Sequence, residues 1–265
     1  MARVESPRKV DSIMSPIAAN LQAVRRRISE ALQGDSRAIS LVAVTKAQPP
    51  EAVRAAFAAG CRDFGESYVQ EAVPKISALK DLDATWHFIG HLQGNKARDV
   101  AQSFDWVHAI DRAKIATALA RARPQDRDDL NVCVQVNISG ETTKGGVPPS
   151  GAVALAREVA AIPRLRLRGL MGMASPTADV AEQRRQFAVL KRAYDEVAAA
   201  GIPVDTLSMG MSDDFEAALA GGATMLRIGT AIFGERTQKP GSDPKVVKRM
   251  SIDKVGAHEL GSDPK

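Results

Sequence analysis

The sequence is poor in cysteine and in aromatic residues, and each scarcity excludes a class of protein. Its 265 residues include two cysteines, Cys61 and Cys133, which lie far apart and lack metal-ligand spacing. We therefore expect free thiols, a reducing compartment and no metal site. Aromatic residues make up 4% of the chain and the net charge is a mild +5. Few side chains are thus left for stacking on bases, which argues against a nucleic-acid partner.

Long hydrophobic runs are also missing. No stretch approaches the length of a membrane span, and residues 1–20 contain no apolar segment of signal-peptide length. No Gly-x-Ser-x-Gly elbow, P-loop or pair of catalytic carboxylates stands out. We expect a cytoplasmic protein that does not bind membranes.

Short apolar runs alternate with helical patterns along most of the chain. The runs lie at 41–46, 63–66, 86–90, 106–110, 132–138, 165–173, 206–209 and 225–229. Such alternation is typical of a parallel sheet covered by helices, and this number of repeats matches a single (β/α)8 TIM-like barrel. An open doubly wound sheet is the alternative. It usually carries a glycine-rich turn after the first strand, and residues 45–50 contain no glycine.

The two ends of the chain differ from the repeating part. Apolar residues at helical spacing predict an amphipathic helix over 15–32. From residue 237 the chain is polar and rich in turn formers, and Gly-Ser-Asp-Pro-Lys occurs twice, at 241–245 and 261–265. We expect residues 1–236 to form one barrel domain that includes the helix. Residues 237–265 would be a polar tail that is either flexible or foreign to the natural protein.

Lys46 ends the first apolar run and is the first candidate functional residue. Pro49 and Pro50 follow it, and prolines stop a strand and suit the start of a helix. We therefore expect Lys46 at the carboxyl end of the first strand, where barrels bind ligands. A partly desolvated lysine amine can attack a carbonyl and form a Schiff base. The alternative is a solvated lysine without a chemical role.

The last two apolar runs lead into a candidate phosphate-binding cup. Gly229 permits close approach of the backbone, Thr230 adds a hydroxyl, and a helical turn can follow. Ser208 lies in the preceding apolar run and Ser212 follows it, so their hydroxyls can reach the same phosphate. For the segment that contains Ser212, the alternative is that Ser212 or Asp213 caps the helix that follows.

Arg227 lies within the eighth run, among apolar neighbours. A buried arginine needs a partner, which is either an internal acid or a ligand atom. A strand-end lysine, a phosphate cup and an arginine are the groups that pyridoxal 5′-phosphate (PLP) needs for its aldehyde, its phosphate and its ring nitrogen. A phosphosugar lyase or isomerase that uses the same lysine and cup is an alternative.

Five motifs follow one another in the chain. They are AVTK at 43–46, FGESYVQE at 64–71, WHFIGHLQ at 86–93, LSMGMSDD at 207–214 and RIGTAIFG at 227–234. Together they resemble the family of pyridoxal phosphate homeostasis proteins, and the resemblance covers residues 41–235. That family usually has asparagine where Ser67 stands, so we assign no cofactor contact to this position.

The resemblance implies a single barrel of the alanine racemase N-terminal type that holds PLP as a Schiff base on Lys46. Arg227 would face the pyridine nitrogen, and the serines, the glycine and the threonine of the cup would hold the phosphate. The implied cofactor-binding residues are Lys46, Ser208, Ser212, Arg227, Gly229 and Thr230.

The resemblance also implies a carrier that buffers PLP or delivers it to apo forms of PLP-dependent enzymes, without turnover of its own. An arginine that faces the ring nitrogen keeps it unprotonated and so weakens the electron sink of amino-acid chemistry. We expect a monomer. A racemase or related amino-acid enzyme of the same cofactor class is the alternative.

Overall fold

The computed structural model describes residues 11–32, 34–141 and 144–235. In these ranges eight strands pair in parallel in chain order and close into a barrel, with β8 returning to β1. The predicted (β/α)8 barrel is confirmed. The strands are β1 Ser40–Val44, β2 Asp63–Glu66, β3 Thr85–Phe88, β4 Trp106–Ile110, β5 Leu130–Val136, β6 Leu165–Gly172, β7 Thr206–Ser208 and β8 Met225–Ile228.

Helices follow the strands and cover the outside of the barrel. In the described part of the chain they are α1 Asp11–Leu32, α2 Pro50–Ala58, α3 Val69–Ala78, α4 Ala97–Ser103, α5 Ala113–Ala122, α6 Ala152–Ala160, α7 Val180–Ala199, α8 Phe215–Ala220 and α9 Thr230–Phe233. Short 3₁₀ turns, Gly94–Lys96 and Pro149–Gly151, lead into α4 and α6. The predicted order of elements is therefore the observed one, and the differences concern where strands end.

The strands bury both faces, because helices cover the outside and side chains fill the inside. On β1, for example, Ala43 belongs to the large core beneath the helices. Its neighbour Val42 belongs to a second cluster inside the barrel, with Trp106 and Met171 among its members. The alternation of side chains along each strand thus separates two cores.

Helix α1 precedes the barrel and packs against α2, α8 and α9. Its residues Leu21, Val24 and Ile28 are buried at helical spacing, as the amphipathic pattern predicts. Each such aliphatic side chain contributes about 1.5–3 kcal/mol when fully buried. The Asn20 Nδ2 group donates to the Ile232 carbonyl at 3.0 Å, which ties α1 to α9 beside the carboxyl end of β8.

The tail expected at 237–265 lies outside the described residues, so the domain boundary stays a prediction. None of the described helices combines the length and the apolar character needed to cross a lipid bilayer. Both cysteines are buried thiols. Burial raises the pKa of Cys61 to about 11 and that of Cys133 to about 12, so neither is a reactive thiolate at neutral pH.

Candidate functional site

Lys46 lies in a turn at the carboxyl end of β1. The strand ends at Val44, two residues earlier than the apolar run predicts. The Gln48 N–H donates to the Thr45 carbonyl at 3.0 Å and closes the turn. Ala47 has a φ of 60°, which no strand residue adopts. The chain therefore leaves the sheet before Lys46 and places it at the mouth of the barrel.

A small pocket joins this turn to the start of α9. Lys46, Gly229 and Thr230 all line it. The register explains their proximity, because Ala43 pairs with Ile228 and the chain segments beyond this pair emerge side by side. Three of the predicted site residues thus lie together.

Hydrogen bonds join the loop after β7 to β8 and to α9. The Arg227 N–H donates to the Gly210 carbonyl at 3.0 Å, and the Ala231 N–H donates to Ser212 Oγ at 3.2 Å. Gly210 has a φ of 95°, and a Cβ there would lie 2.7 Å from the Cβ of Ala218, so only glycine fits. Ser212 is consequently held at the first turn of α9, next to the pocket.

The alternative role of Ser212 or Asp213 as a helix cap is wrong. Helix α8 begins at Phe215, and its N-cap residue Asp214 makes no side-chain bond to the helix. The Asp214 carboxylate instead accepts from the Met211 N–H at 2.6 Å, which stabilises the loop that carries Ser212. Burial raises the pKa of Asp214, while this backbone hydrogen bond opposes the rise.

Arg227 is buried inside the barrel and bonds only neutral acceptors among the described residues. Its Nη1 donates to Ser208 Oγ at 2.6 Å and its Nη2 to the Gly172 carbonyl at 2.9 Å. No carboxylate of the described residues lies within 4.0 Å of it, so the internal salt bridge considered above is not formed there. Burial lowers the pKa of Arg227 to about 10, which leaves it protonated at neutral pH. A buried cation of this kind suits a ligand that supplies an acceptor or a negative charge.

Ser208 belongs to a buried chain of polar groups that crosses the barrel, not to the pocket beside Thr230. Its Oγ lies 2.9 Å from His108 Nδ1, and His108 Nε2 lies 3.0 Å from His87 Nδ1. His87 Nε2 in turn lies 3.0 Å from Asp63 Oδ1, at the opposite end of the barrel. We therefore assign Ser208 to the support of Arg227. A contact between its hydroxyl and the phosphate stays a prediction.

The chemistry at the two ends of this chain of groups determines the donor-to-acceptor direction of its hydrogen bonds. A guanidinium such as Arg227 only donates, and the Asp63 carboxylate only accepts. Burial lowers the pKa of His108 well below its usual value, and the nearby His87 and Arg227 lower it further, so the ring is neutral. Because Arg227 Nη1 donates to Ser208 Oγ, the hydroxyl hydrogen of Ser208 is directed at His108 Nδ1, and the neutral His108 ring then carries its proton on Nε2, which faces His87 Nδ1.

Sequence reasoning missed a second buried group of charges, behind the turn of Lys46. Lys75 is 5% exposed and contacts Glu66 and Glu71, in each case with 2.7 Å between Nζ and Oε1. The spacing of four residues between Glu71 and Lys75 on α3 was a visible signal, since such pairs interact on a helix. Glu66 sits outside that helix, and nothing in the sequence linked it to Lys75.

A separate cleft is not part of this site. It has a volume of about 430 Å³ and lies at the amino ends of β6 and β7, where Arg168 and Asp205 line it. These two residues already pair with each other at 2.7 Å, and Arg168 stacks on Trp106. Among the described residues, no three His, Cys, Asp or Glu side chains are grouped as metal ligands.

A family model described as alanine racemase, N-terminal domain, matches residues 15–237 of this chain. Two similar curated proteins are named pyridoxal phosphate homeostasis protein. The one from Pseudomonas aeruginosa is 51% identical over 226 residues, which cover 84% of this chain and 97% of the relative. The one from Escherichia coli K12 is 50% identical over 234 residues and covers 84% of this chain and 98% of the relative.

Solved structures show the same likeness. PipY of Synechococcus elongatus, solved with PLP bound, is 36% identical with a TM-score of 0.72, and the match covers 82% of this chain and 100% of PipY. An alanine racemase of Clostridium difficile is 16% identical with a TM-score of 0.67, over 85% of this chain and 58% of that enzyme. The second likeness concerns the fold alone.

We expect NMR to find His108 as a neutral ring protonated on Nε2 at pH 7.5. The reason is the single direction that Arg227 and Asp63 impose on the hydrogen bonds between them. Nitrogen-15 shifts of histidine-labelled protein report the tautomer of each ring directly. His91, whose side chain is 61% exposed, is the internal reference from outside this buried chain of groups. An Nδ1–H signal from His108 would contradict the assignment.

Proposed function

This chain belongs to the family of pyridoxal phosphate homeostasis proteins, and we propose that it binds PLP as a Schiff base on Lys46 and buffers or delivers the cofactor. The family relation is supported by relatives of about half identical sequence along nearly their whole length. PipY, a relative in sequence and fold, has been solved with PLP bound. The residue roles are our own assignment.

The observation that carries the proposal is the buried guanidinium of Arg227 beside the strand that leads to Lys46. Its hydrogen bonds go to neutral groups in the described structure. The Asp214 carboxylate attracts it and raises its pKa but makes no ion pair with it. Lys46, Gly229 and Thr230 line one pocket, and Ser212 is held beside it. An amine, a cation and two hydroxyls at one barrel end fit an aldehyde, a ring nitrogen and a phosphate.

When bound, PLP supplies an aldehyde that amines attack and a ring that can accept electrons. Lys46 would form a C=N bond with the aldehyde carbon, and its two amine hydrogens would leave with the aldehyde oxygen as one water. Thr230 and Ser212 would donate hydroxyl hydrogens to the phosphate, and Gly229 would let the backbone approach it. Arg227 would donate a hydrogen bond to the ring nitrogen and keep it unprotonated.

The same residues support a carrier rather than an enzyme. A ring nitrogen that receives a hydrogen bond from Arg227 gains no proton, so carbanion chemistry is weakly supported. The Tyr194 hydroxyl donates to the Val204 carbonyl at 2.9 Å, and burial raises the pKa of Tyr194, so it is not poised as a base. Tyr68 is 44% exposed, which leaves its hydroxyl in water rather than against a reacting carbon.

Handover needs a recipient, for which apo forms of PLP-dependent enzymes are the natural class. We propose that the protein acts as a monomer in the cytoplasm, with residues 1–236 as the functional domain. The buried, unpaired thiols of Cys61 and Cys133 agree with a reducing compartment.

Changing Lys46→Ala should abolish covalent attachment of PLP while the fold remains, because the side chain lies outside the packed core. Borohydride reduction converts the C=N bond into a stable amine, and peptide mass spectrometry then locates the modified lysine. The control is Lys114→Ala, which removes an exposed lysine on α5. Attachment that persists in Lys46→Ala, or that maps to another lysine, would rule out this assignment.

Changing Ser212→Ala and Thr230→Val should each weaken binding of pyridoxamine 5′-phosphate about 10- to 100-fold, the equivalent of about 1.5–3 kcal/mol for a hydrogen bond to a charged group. The double variant should lose less than the sum, because both hydroxyls would bind one phosphate. Calorimetric titration measures all three affinities, with Ser77→Ala as the control on exposed helix surface. Unchanged affinity in both single variants would remove these residues from the cup.

We expect the PLP-loaded protein not to exchange the α-hydrogen of L-alanine or L-serine appreciably in D₂O, since the ring nitrogen stays unprotonated and neither tyrosine is placed as a base. Proton NMR follows the exchange, and an alanine racemase serves as the positive control. Rapid, saturable exchange that is lost in Lys46→Ala would establish an amino-acid enzyme instead. A Tyr68→Phe variant would then show whether Tyr68 is the base.

A further inference from the structure

A buried ammonium group lies directly behind the turn that carries Lys46. The Nζ of Lys75 donates to the Thr45 carbonyl at 2.8 Å and to Oε1 of Glu66 and of Glu71 at 2.7 Å each. Since an ammonium has three hydrogens, all of its donors are used. Thr45 Oγ1 also donates to Glu66 Oε1 at 2.7 Å. The group therefore holds one face of the turn at several points.

Two contacts of Lys75 and Glu71 fix the backbone on either side of Lys46. The carbonyl of Thr45 accepts from Lys75, and the N–H of Ala47 donates to Glu71 Oε1 at 2.7 Å. The peptide groups before and after Lys46 are planar, and only two soft dihedral angles lie between them. Holding both planes therefore fixes the direction in which the Lys46 side chain leaves the backbone.

The turn needs such support because its third residue is strained. Ala47 has a φ of 60°, a conformation that glycine or asparagine usually supplies at this place in a turn. A left-handed conformation costs an alanine free energy because of its Cβ. The hydrogen bond from Ala47 to Glu71 offsets that cost, and strain held in this way is common beside functional groups.

We propose that Glu71 and Lys75 are positioning residues that aim the amine of Lys46 at the carbonyl carbon it attacks. The inference rests on the proposed function of Lys46. The proposal distinguishes two steps in the attachment of PLP. Binding of the phosphate depends on the loops after β7 and β8. Formation of the covalent bond depends on the angle and distance at which the Lys46 amine approaches. Loss of the clamp should therefore slow the covalent step and leave non-covalent binding intact.

Glu71 is the residue to change, since its side chain is 31% exposed and water can replace it. Removing Lys75 would leave the buried Glu66 without its cation and endanger the fold. Glu71→Ala deletes the acceptor for the Ala47 N–H. Glu71→Gln keeps an amide oxygen that can accept the same two hydrogen bonds but removes the charge. Glu51→Ala, on the neighbouring helix α2, is the matched control.

Three measurements test the proposal. Stopped-flow absorbance gives the rate of PLP attachment, which should fall about tenfold or more in Glu71→Ala and stay near the wild-type rate in Glu71→Gln and Glu51→Ala. The affinity for pyridoxamine 5′-phosphate, which has no aldehyde, should not change in any variant. Amide hydrogen exchange by NMR should show an Ala47 N–H that is protected in the wild type and unprotected in Glu71→Ala.

Equal slowing in Glu71→Ala and Glu71→Gln would mean that charge rather than placement matters, and it would overturn the proposal. So would an Ala47 amide that stays protected in Glu71→Ala, or an attachment rate that does not fall. If the wild-type protein attaches no PLP at Lys46, the proposed function fails, and protection of the Ala47 amide still decides whether the clamp exists.

Discussion

The parallel pairing of β8 with β1 is the constraint on which the rest of the structure depends. It aligns Val42 with Arg227 and Ala43 with Ile228, so segments from opposite ends of the described chain emerge at one edge. The turn of Lys46 and the start of α9 can then line one pocket. If the sheet were open between these strands, the Lys46 amine and the phosphate cup would have no fixed position relative to each other.

A polar interior is the consequence of placing Arg227 inside this barrel. Barrels are usually filled by branched apolar side chains, and here Val42, Trp106 and Met171 do so in part. Arg227 instead draws a chain of donors and acceptors across the interior through Ser208 and the two buried histidines. A buried network in which each member is bonded specifies one arrangement. The network therefore holds the arginine side chain in one position inside the barrel.

The repeating pattern predicted the barrel, because strand and helix periodicities are local and each run sits next to its own turn signals. The same local reasoning failed at particular residues. β1 stops at Val44, and the turn that follows holds Ala47 at a φ of 60°, which no propensity of Lys46 reveals. Ser212 does not cap α8, since Asp214 turns back to Met211 and leaves Ser212 to α9. The contacts of Ser208 with Arg227 and His108 were not visible in the sequence either.

By itself the sequence determined the order of strands and helices, the position of Lys46 at a strand end and the glycine and hydroxyl content of the last loops. These depend on residues that are close in the chain. The tertiary structure decided which side chains meet: Ser212 with α9, Ser208 with Arg227 and His108, and Lys75 with Glu66. Such pairings depend on distances between elements that are remote in sequence, and those distances are set only when the barrel closes and its helices pack.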